Sequence, residues 1–455
     1  MRKLVGIVAA ALILCLLPAL PAEAAGNGVT VTVQDGYTCD YGVDIPFTRS
    51  PRTTDYTFAL YPGEAVSGAP EMTAEVEIAT VGQVSVHLPL HYDVSGPSTW
   101  TLRVTAHVAP GREGLDREAS TVKTFTTAPT CGCPAGTAGA YYLGDGKSVP
   151  FAVGTEAQLR HIDQHNTGKS FLQENDITLA QTGGAAATIS GAVYDGNGYY
   201  IKNLSVNETG NGGLFGRLYN STVQNVGLTT TNWIKGYTVG GIAGACEGAT
   251  IQNCFVEAKI MSCDHAAPAH PATGGIAGGM LNSTVTNCYF AGTIQNTSLG
   301  SGANPNLRLI GGIAPYARGR DNKQCSITNT YNMADLNYGT SIRSSMIGAV
   351  TGDSSYWSGS TNCYSGLVYS ANNYWLSTAL HAPAYGIGAW YGTPGQTTVN
   401  PGPSNAGCAA LTSFSSLPSG FGSDWEIGTA LFQRADGSSS RVSAPVLKIF
   451  SQKHA

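Results

Sequence analysis

Gly240-Gly-Ile-Ala-Gly244, followed by Ile251-Gln-Asn253-Cys-Phe255, decides the fold, because the same pattern returns at Gly274-Gly-Ile-Ala-Gly278 and Val285-Thr-Asn287-Cys-Tyr289. Upstream, Gly212-Gly-Leu-Phe-Gly216 precedes Val223-Gln-Asn225-Val226. Downstream, Gly311-Gly-Ile-Ala314 and Ile347-Gly-Ala-Val-Thr-Gly352 are weaker copies, with Ile327-Thr-Asn329-Thr-Tyr331 and Thr361-Asn362-Cys-Tyr364 as their partners. The step from the second Gly to the Asn is 12 positions in three copies (213 to 225, 241 to 253, 275 to 287) and 17 in a fourth (312 to 329). One Gly-Gly pair means little in a chain with 58 Gly, but three equal steps with matched flanks define an internal repeat.

A strand pair that turns at Gly and again at Asn cannot bury its apolar face alone, so consecutive units must stack. Ile or Val before each Asn points inward, and Asn tolerates left-handed dihedrals while bonding local backbone. Stacking sets like residues above one another. Cys254, Cys288 and Cys363 then form an internal ladder, with Val226 and Thr330 at equivalent positions. Because Val and Thr substitute there, these cysteines read as packing rather than chemistry.

At these residues the chain resembles the GLUG-motif repeat family of bacterial exported and surface proteins. Gly213-Leu-Phe-Gly216 stands for the namesake motif, and Tyr194-Asp-Gly-Asn-Gly-Tyr-Tyr-Ile-Lys-Asn-Leu204, preceded by Asp176-Ile-Thr-Leu179, looks like the family's opening segment. Trp425-Glu-Ile427 and Pro445-Val-Leu-Lys448 resemble its closing segment. The resemblance covers about 150–450 and implies a right-handed parallel β-helix; it brings no catalytic residues. The family also occurs beside peptidase domains, but the sequence here shows none, so no activity carries over.

Outside the repeat the pattern changes. Arg2 and Lys3, the apolar run Leu4 to Leu20 and Ala22-Glu-Ala24 read as a signal peptide cleaved before Ala25. Residues 25–128 hold near-alternating stretches at Val29–Val33, Tyr56–Tyr61, Val84–Leu90 and Trp100–Val108, separated by turn-rich pieces, which predicts an immunoglobulin- or fibronectin-like β-sandwich. Residues 129–150, opening on Cys131-Gly-Cys133-Pro-Ala-Gly, read as a hinge. Thr155 with Gln158 forms a capping box for a short helix that puts Leu159 and Ile162 on one face. The expected class is therefore all-β: an N-terminal sandwich, a short capping helix, and a right-handed parallel β-helix (solenoid) over 151–450 with a C-terminal closing segment.

The chain is weakly acidic, with net charge −5 and only 12% charged residues, which argues against nucleic acid or an anionic membrane as partner. At 42% hydrophobic it buries a core rather than staying disordered. Of the 11 Cys, ten follow the signal peptide. An even count in an exported chain predicts disulfides of unspecified connectivity, with Cys131-Gly-Cys133 as a structural anchor at the domain junction. Cys263, His265 and His270 have metal-ligand chemistry, yet they fall where an insertion loop is expected. His-Glu-x-x-His, Gly-x-Ser-x-Gly and phosphate-loop signatures are absent from the sequence, and the acids Asp195, Glu208, Glu247, Glu257, Asp264, Asp321, Asp335 and Asp353 are scattered. Asp195, in a Gly-Asn-Gly turn, reads as a backbone organiser. Asn203, Asn207, Asn220, Asn282 and Asn296 fit the glycosylation pattern, but turn chemistry accounts for them in a bacterial chain.

No catalytic residue, cofactor or metal ligand is assigned. Late aromatics give the ligand-binding candidates Trp357, Trp375 and Trp390, against the alternative that they pack under a terminal cap. The expectation is an exported or surface-held, monomeric, adhesin-like protein that binds glycans or extracellular proteins and does not insert in a membrane. A carbohydrate-active β-helix enzyme and a structural spacer of the cell envelope are the alternatives.

Overall fold

The structure, a computed structural model, describes residues 32–33, 37–39, 42–50, 52–79, 83–89, 97–111, 118–229, 233–262, 271–295, 309–320, 323–337, 347–354, 363–364, 368–379, 381–390, 402–433 and 438–454. The described chain is mostly strand and contains several parallel sheets, so the all-β expectation holds. It divides into two compact units, Met1–Ala152 and Val153–Ala455.

The first unit holds two four-stranded antiparallel sheets. Asp55–Pro62 lies between Met72–Glu77 and Thr99–Ala106, with Ala119–Thr126 at the edge; Gly42–Thr48 pairs with Gln83–Pro89 in the other sheet. Alternate residues on a strand share a face. Tyr56, Phe58 and Leu60 accordingly meet Leu102 and Val104 in one core with Ile45, Val86 and Leu88 of the second sheet. The edge strand shows the opposite pattern, its threonines bonding across to Thr99 and Thr101. Three of the four expected strands are present; of Val29–Val33 only Thr32–Val33 is described.

Part of the stretch 129–150 packs with the first unit. Ala140 and Tyr142 are buried in the first unit's core, with Cys131 and Cys133 packed against it. Asp145 organises the turn after them by accepting from the N–H groups of Lys147 and Val149 and from the Ser148 hydroxyl. Those bonds, the Ser148 bond first, hold its carboxyl far below the usual range.

The second unit opens on the helix Glu156–His161. The Thr155 hydroxyl accepts from the N–H of Gln158, and the Gln158 amide oxygen accepts in return from the N–H of Gly154, so the capping box closes one residue earlier than its usual form. Leu159 and Ile162 are fully buried.

Beyond the helix, strands pair in parallel with their equivalents in the next copy. Thr222–Gln224 pairs with Thr250–Gln252, that strand with Thr284–Phe290, and that with Cys325–Asn332. Register is maintained residue for residue: Val223, Ile251, Val285 and Ile327 form one column. Ile234, Ile260, Ile294 and Leu336 form another, in a separate five-stranded sheet. All eight are nearly or wholly buried. At ~1.5–3 kcal/mol for each fully buried branched side chain, these columns are the main favourable term.

The turns follow the sequence reading. Asn225, Asn253, Asn287 and Asn329 have φ between 50° and 55°, the left-handed region. Their amides form a ladder: Asn253 donates to Asn225, Asn287 to Asn253, and Asn329 to Asn287, at 3.1 to 3.2 Å. Asn225 donates to Asp195 at 3.0 Å, so the aspartate is the ladder's first acceptor. Asn203, Asn220 and Asn282 also have positive φ. The second Gly of each pair serves close approach: a side chain at Gly241 would collide with Val256, and one at Gly275 with Phe290.

The fifth copy differs from expectation. The strand in register with Cys325–Asn332 is Val368–Leu376, so Asn372, not Asn362, completes the ladder, with φ 54° and a 3.0 Å bond to Asn329. Thr361 and Asn362 lie outside the described residues, and Cys363 pairs antiparallel with Arg320. The cysteine column holds for Cys254 and Cys288, both fully buried, and ends at Thr330 and Asn373 rather than at Cys363. Asn373 is inward, where its amide bonds Thr330 and the carbonyl of Ile327.

Substitution at Asn287 separates backbone conformation from side-chain bonding. Asn287→Gly keeps the left-handed turn and loses only ladder bonds, each worth about 1 kcal/mol. Asn287→Ala adds left-handed strain of roughly 1–2 kcal/mol. Urea unfolding should rank wild type above N287G above N287A; equal stability of the two variants would refute the strain argument.

Candidate functional site

Of the three tryptophans, Trp375 is buried at 3% exposure, so it offers no stacking platform. The two-residue period of its strand is the reason. Trp375 shares register with Asn332, which pairs with Phe290, and both of those are buried as well. Its neighbour Tyr374 packs edge-on to Phe421 and donates its hydroxyl to the carbonyl of Ser419. Trp357 lies outside the described residues, and Trp390 is placed only by its backbone, at the end of Ile387–Trp390.

One aromatic column that faces away from the inward ladders is covered by the chain itself. Phe255, Tyr289 and Tyr331 stack at 5.0 and 4.9 Å with nearly parallel rings. Phe414, Phe421, Trp425, Phe432, Leu447 and Phe450 bury them. Trp425–Gln433 and Ser439–Leu447 form an antiparallel hairpin of their own, which leads into the helix Lys448–Lys453. Tyr331 donates to the carbonyl of Pro445, and the N–H of Leu431 donates to Glu257.

Three of the scattered acids are committed to structure. Asp195 accepts from Asn197, Gln224 and Asn225, the backbone-organising role expected of it with two side-chain bonds added. Asp335 is fully buried and hydrogen-bonded to Nδ1 of His381 at 2.8 Å; His381 itself adopts φ 56°. Glu257 is buried, bonded to Thr229 and Leu431, and burial raises its carboxyl above the ordinary range despite both bonds. Asp264 and Asp321 lie outside the described residues.

Seven described cysteines are free, so the predicted disulfides are not formed at Cys131, Cys133, Cys246, Cys254, Cys288, Cys325 or Cys408. In the first unit, Cys131 and Cys133 flank Gly132 at φ 81°, and burial followed by the hydrogen bond it shares with Cys131 raises the Cys133 thiol. In the second unit, the rings of His161 and His165 lie 4.9 Å apart on consecutive helical turns. Burial lowers both imidazoles, with His165 second at His161 and Lys169 second at His165. Cys263, His265 and His270 lie outside the described residues.

The nine-stranded parallel-dominated sheet leaves a different surface open. Its register aligns Thr188, Arg217 and Ala245 in one outward column, and Ser190, Tyr219, Glu247, Leu281 and Arg318 in the next. Leu218, Cys246, Met280 and Ala317 alternate with these on the buried side. Arg217 pairs with Glu247, and its guanidinium stands 6.0 Å from the ring centre of Tyr219, a side chain left 41% exposed. Two strands beyond that of Glu247, the Arg318 guanidinium lies 4.7 Å from the ring centre of Tyr316. A side chain at Gly279 would collide with that ring, so the glycine is the floor on which Tyr316 lies. Arg320 is exposed on the same strand. Sequence reading missed this strip because its members come from three copies and no two are adjacent in the chain.

Compared with known proteins, the chain matches no family model, no curated protein and no solved structure. Among the described residues, no helix is long and apolar enough to cross a membrane.

Two outcomes are expected. Glu257 has a folded-state pKa above that of the unfolded chain, so the unfolded chain loses its proton first as pH rises. The stability contributed below the usual glutamate range is thus lost as pH climbs through the raised value. Melting temperature against pH should fall over that window, and Glu257→Gln should flatten the fall; an unchanged profile in E257Q would refute it. Separately, burial holds the Cys246, Cys254 and Cys325 thiols above their usual value. A thiol reagent should modify these three only after denaturation, and native-state labelling mapped to any of them would contradict the packing role.

Proposed function

We propose that this is an exported, adhesin-like protein that presents a repetitive β surface to glycans or extracellular proteins. In this reading the second unit is a right-handed parallel β-helix of the GLUG-repeat kind, and the first an immunoglobulin-like sandwich. In-register parallel pairing over successive copies supports the first assignment, and two antiparallel sheets sharing one core support the second.

The observation that carries the reading is the outward strip Arg217, Tyr219, Glu247, Tyr316 and Arg318. Aromatic faces and forked guanidinium donors next to a carboxylate suit sugars, which offer flat C–H faces and many hydroxyls. The strip takes the place of Trp375, which is buried, as a binding candidate. Binding is favoured over turnover because Asp195, Glu257 and Asp335 are engaged in structure-building bonds rather than paired across an open cleft.

The test uses residues 25–455 on an array of glycans and matrix proteins, scoring both retained protein and newly released sugar ends. Retention without release is expected. Release of new ends would overturn the binding reading in favour of a carbohydrate-active enzyme, and no retention on any surface would leave it without support against a spacer role.

A further inference from the structure

We propose that Thr57, His107 and Glu118 of the first unit form a nucleophile, base and carboxylate set that hydrolyses an acyl ester. This goes beyond the binding reading above, which concerns the second unit, and does not rest on it.

Sheet register builds the set from residues far apart in sequence. Thr57 is paired with Thr105 and Thr105 with Ser120, while Ala106 is paired with Ala119. One residue beyond that last pair, His107 stands across from Glu118, and its N–H still donates to the carbonyl of Asp55 at 2.9 Å. His107 is two residues on from Thr105, which makes it a diagonal neighbour of Thr57 within reach of a long side chain. Alternate residues share a face, so Thr57, Thr105, His107, Glu118 and Ser120 lie on one side of the sheet. Tyr56, Phe58, Val104 and Ala106 take the other side and fill the core. The Thr57 hydroxyl oxygen lies 2.6 Å from Nε2 of His107, and Nδ1 of the same ring lies 2.8 Å from Oε1 of Glu118.

The chemistry of the partners fixes the roles. An ionised carboxylate only accepts, so Nδ1 carries the proton in the bond to Glu118, and in the neutral ring Nε2 accepts from the Thr57 hydroxyl. A hydroxyl bonded to an imidazole whose far nitrogen is held by a carboxylate is an activated nucleophile, whatever the fold that presents it. The set is reachable from solvent, since the His107 and Glu118 side chains are 37% and 60% exposed. Thr105 and Ser120, bonded to each other at 2.9 Å in the same cross-strand row as Thr57, supply O–H donors for a developing oxyanion. Glu75, paired with Thr57 on its other side, opposes that charge. Such modest stabilisation suits an ester, whose alcohol leaves readily, rather than an amide. In the first step Thr57 Oγ bonds to the carbonyl carbon while its proton passes to Nε2. The bond from that carbon to the alcohol oxygen then breaks, and the alcohol leaves with the proton from Nε2. Water attacks acyl-Thr57 by the same route, which releases the acid and restores the hydroxyl.

The experiment incubates the purified chain with p-nitrophenyl acetate, follows release of p-nitrophenolate, and maps the acetyl group by peptide mass after an acid quench. Acetyl on Thr57 is the expected intermediate. Thr57→Val and His107→Gln should each lower turnover about a hundredfold. Thr57→Ser removes only the methyl that crowds the nucleophile and should turn over a few-fold faster, whereas a merely structural hydroxyl would show no gain. Glu118 is a positioning residue, so Glu118→Gln should lower kcat about tenfold and leave KM unchanged. Glu75→Gln should raise the rate a few-fold by removing charge next to the oxyanion. Thr57→Val keeps the β-branched shape that suits a strand, and a melting curve matching wild type separates lost chemistry from lost folding. Acetyl found on histidine alone, undiminished turnover in T57V, or a T57S chain as inactive as T57V would overturn the proposal. Ester hydrolysis releases no new sugar ends, so the glycan array decides the binding reading and this experiment decides the ester reading, each independently of the other.

Discussion

Everything in the second unit depends on successive copies stacking in register, and the asparagine ladder from Asp195 to Asn372 is where register is set. Each amide bond is worth only about 1 kcal/mol net, so the ladder is a small part of the stability. Its effect is on specificity. A one-residue slip would turn every inward Ile and Val outward, and the ladder bonds form only when equivalent residues face one another. The left-handed turn adds a second constraint, because Asn reaches it at less expense than other residues with a side chain and also supplies donor and acceptor. Between these turns the apolar columns do most of the stabilising.

Stacked columns create ladders on both sides of a sheet, and the two faces fare differently. The Phe255–Tyr289–Tyr331 stack would be a long exposed apolar surface if left open. The hairpin Trp425–Leu447 and the helix after it cover it, so the most aromatic face of the unit is internal. The outward columns around Arg217 and Arg318 have no such cover among the described residues, and they carry charge and hydroxyls instead of hydrocarbon. Geometry thus separates a covered aromatic face from a more polar, exposed one. Composition does not distinguish them, since both are rich in tyrosine.

Much of this organisation was legible in the residues. The constant step from Gly to Asn located three of the ladder's asparagines and the matched flanks of Asn329 a fourth, Thr155 and Gln158 located the helix start, and Asp195 in its turn announced a structural carboxylate. The misreadings share a cause. Thr361-Asn-Cys-Tyr364 imitates the repeat more closely than Ala371-Asn-Asn-Tyr374, yet the latter holds the register, because an inward Asn373 finds partners in Thr330 and Ile327. Trp375 looked like a surface ring for want of a known register; one position either way would have reversed its face. The even cysteine count suggested disulfides, whereas the period of the repeat had already put Cys254 and Cys288 in the packed column where they are found.

The sequence by itself determined the repeat, its turn residues, the inward apolar columns and the all-β class, because these rest on local dihedral preferences and a two-residue side-chain period. Tertiary structure alone decided which fifth segment completes the ladder, which aromatic face is covered, and which side chains meet on the open one. Those outcomes depend on contacts between residues tens to hundreds of positions apart, such as Glu257 with Leu431 or Arg217 with Glu247. No local pattern encodes such distances, since loop lengths between copies vary while the stacking distance does not.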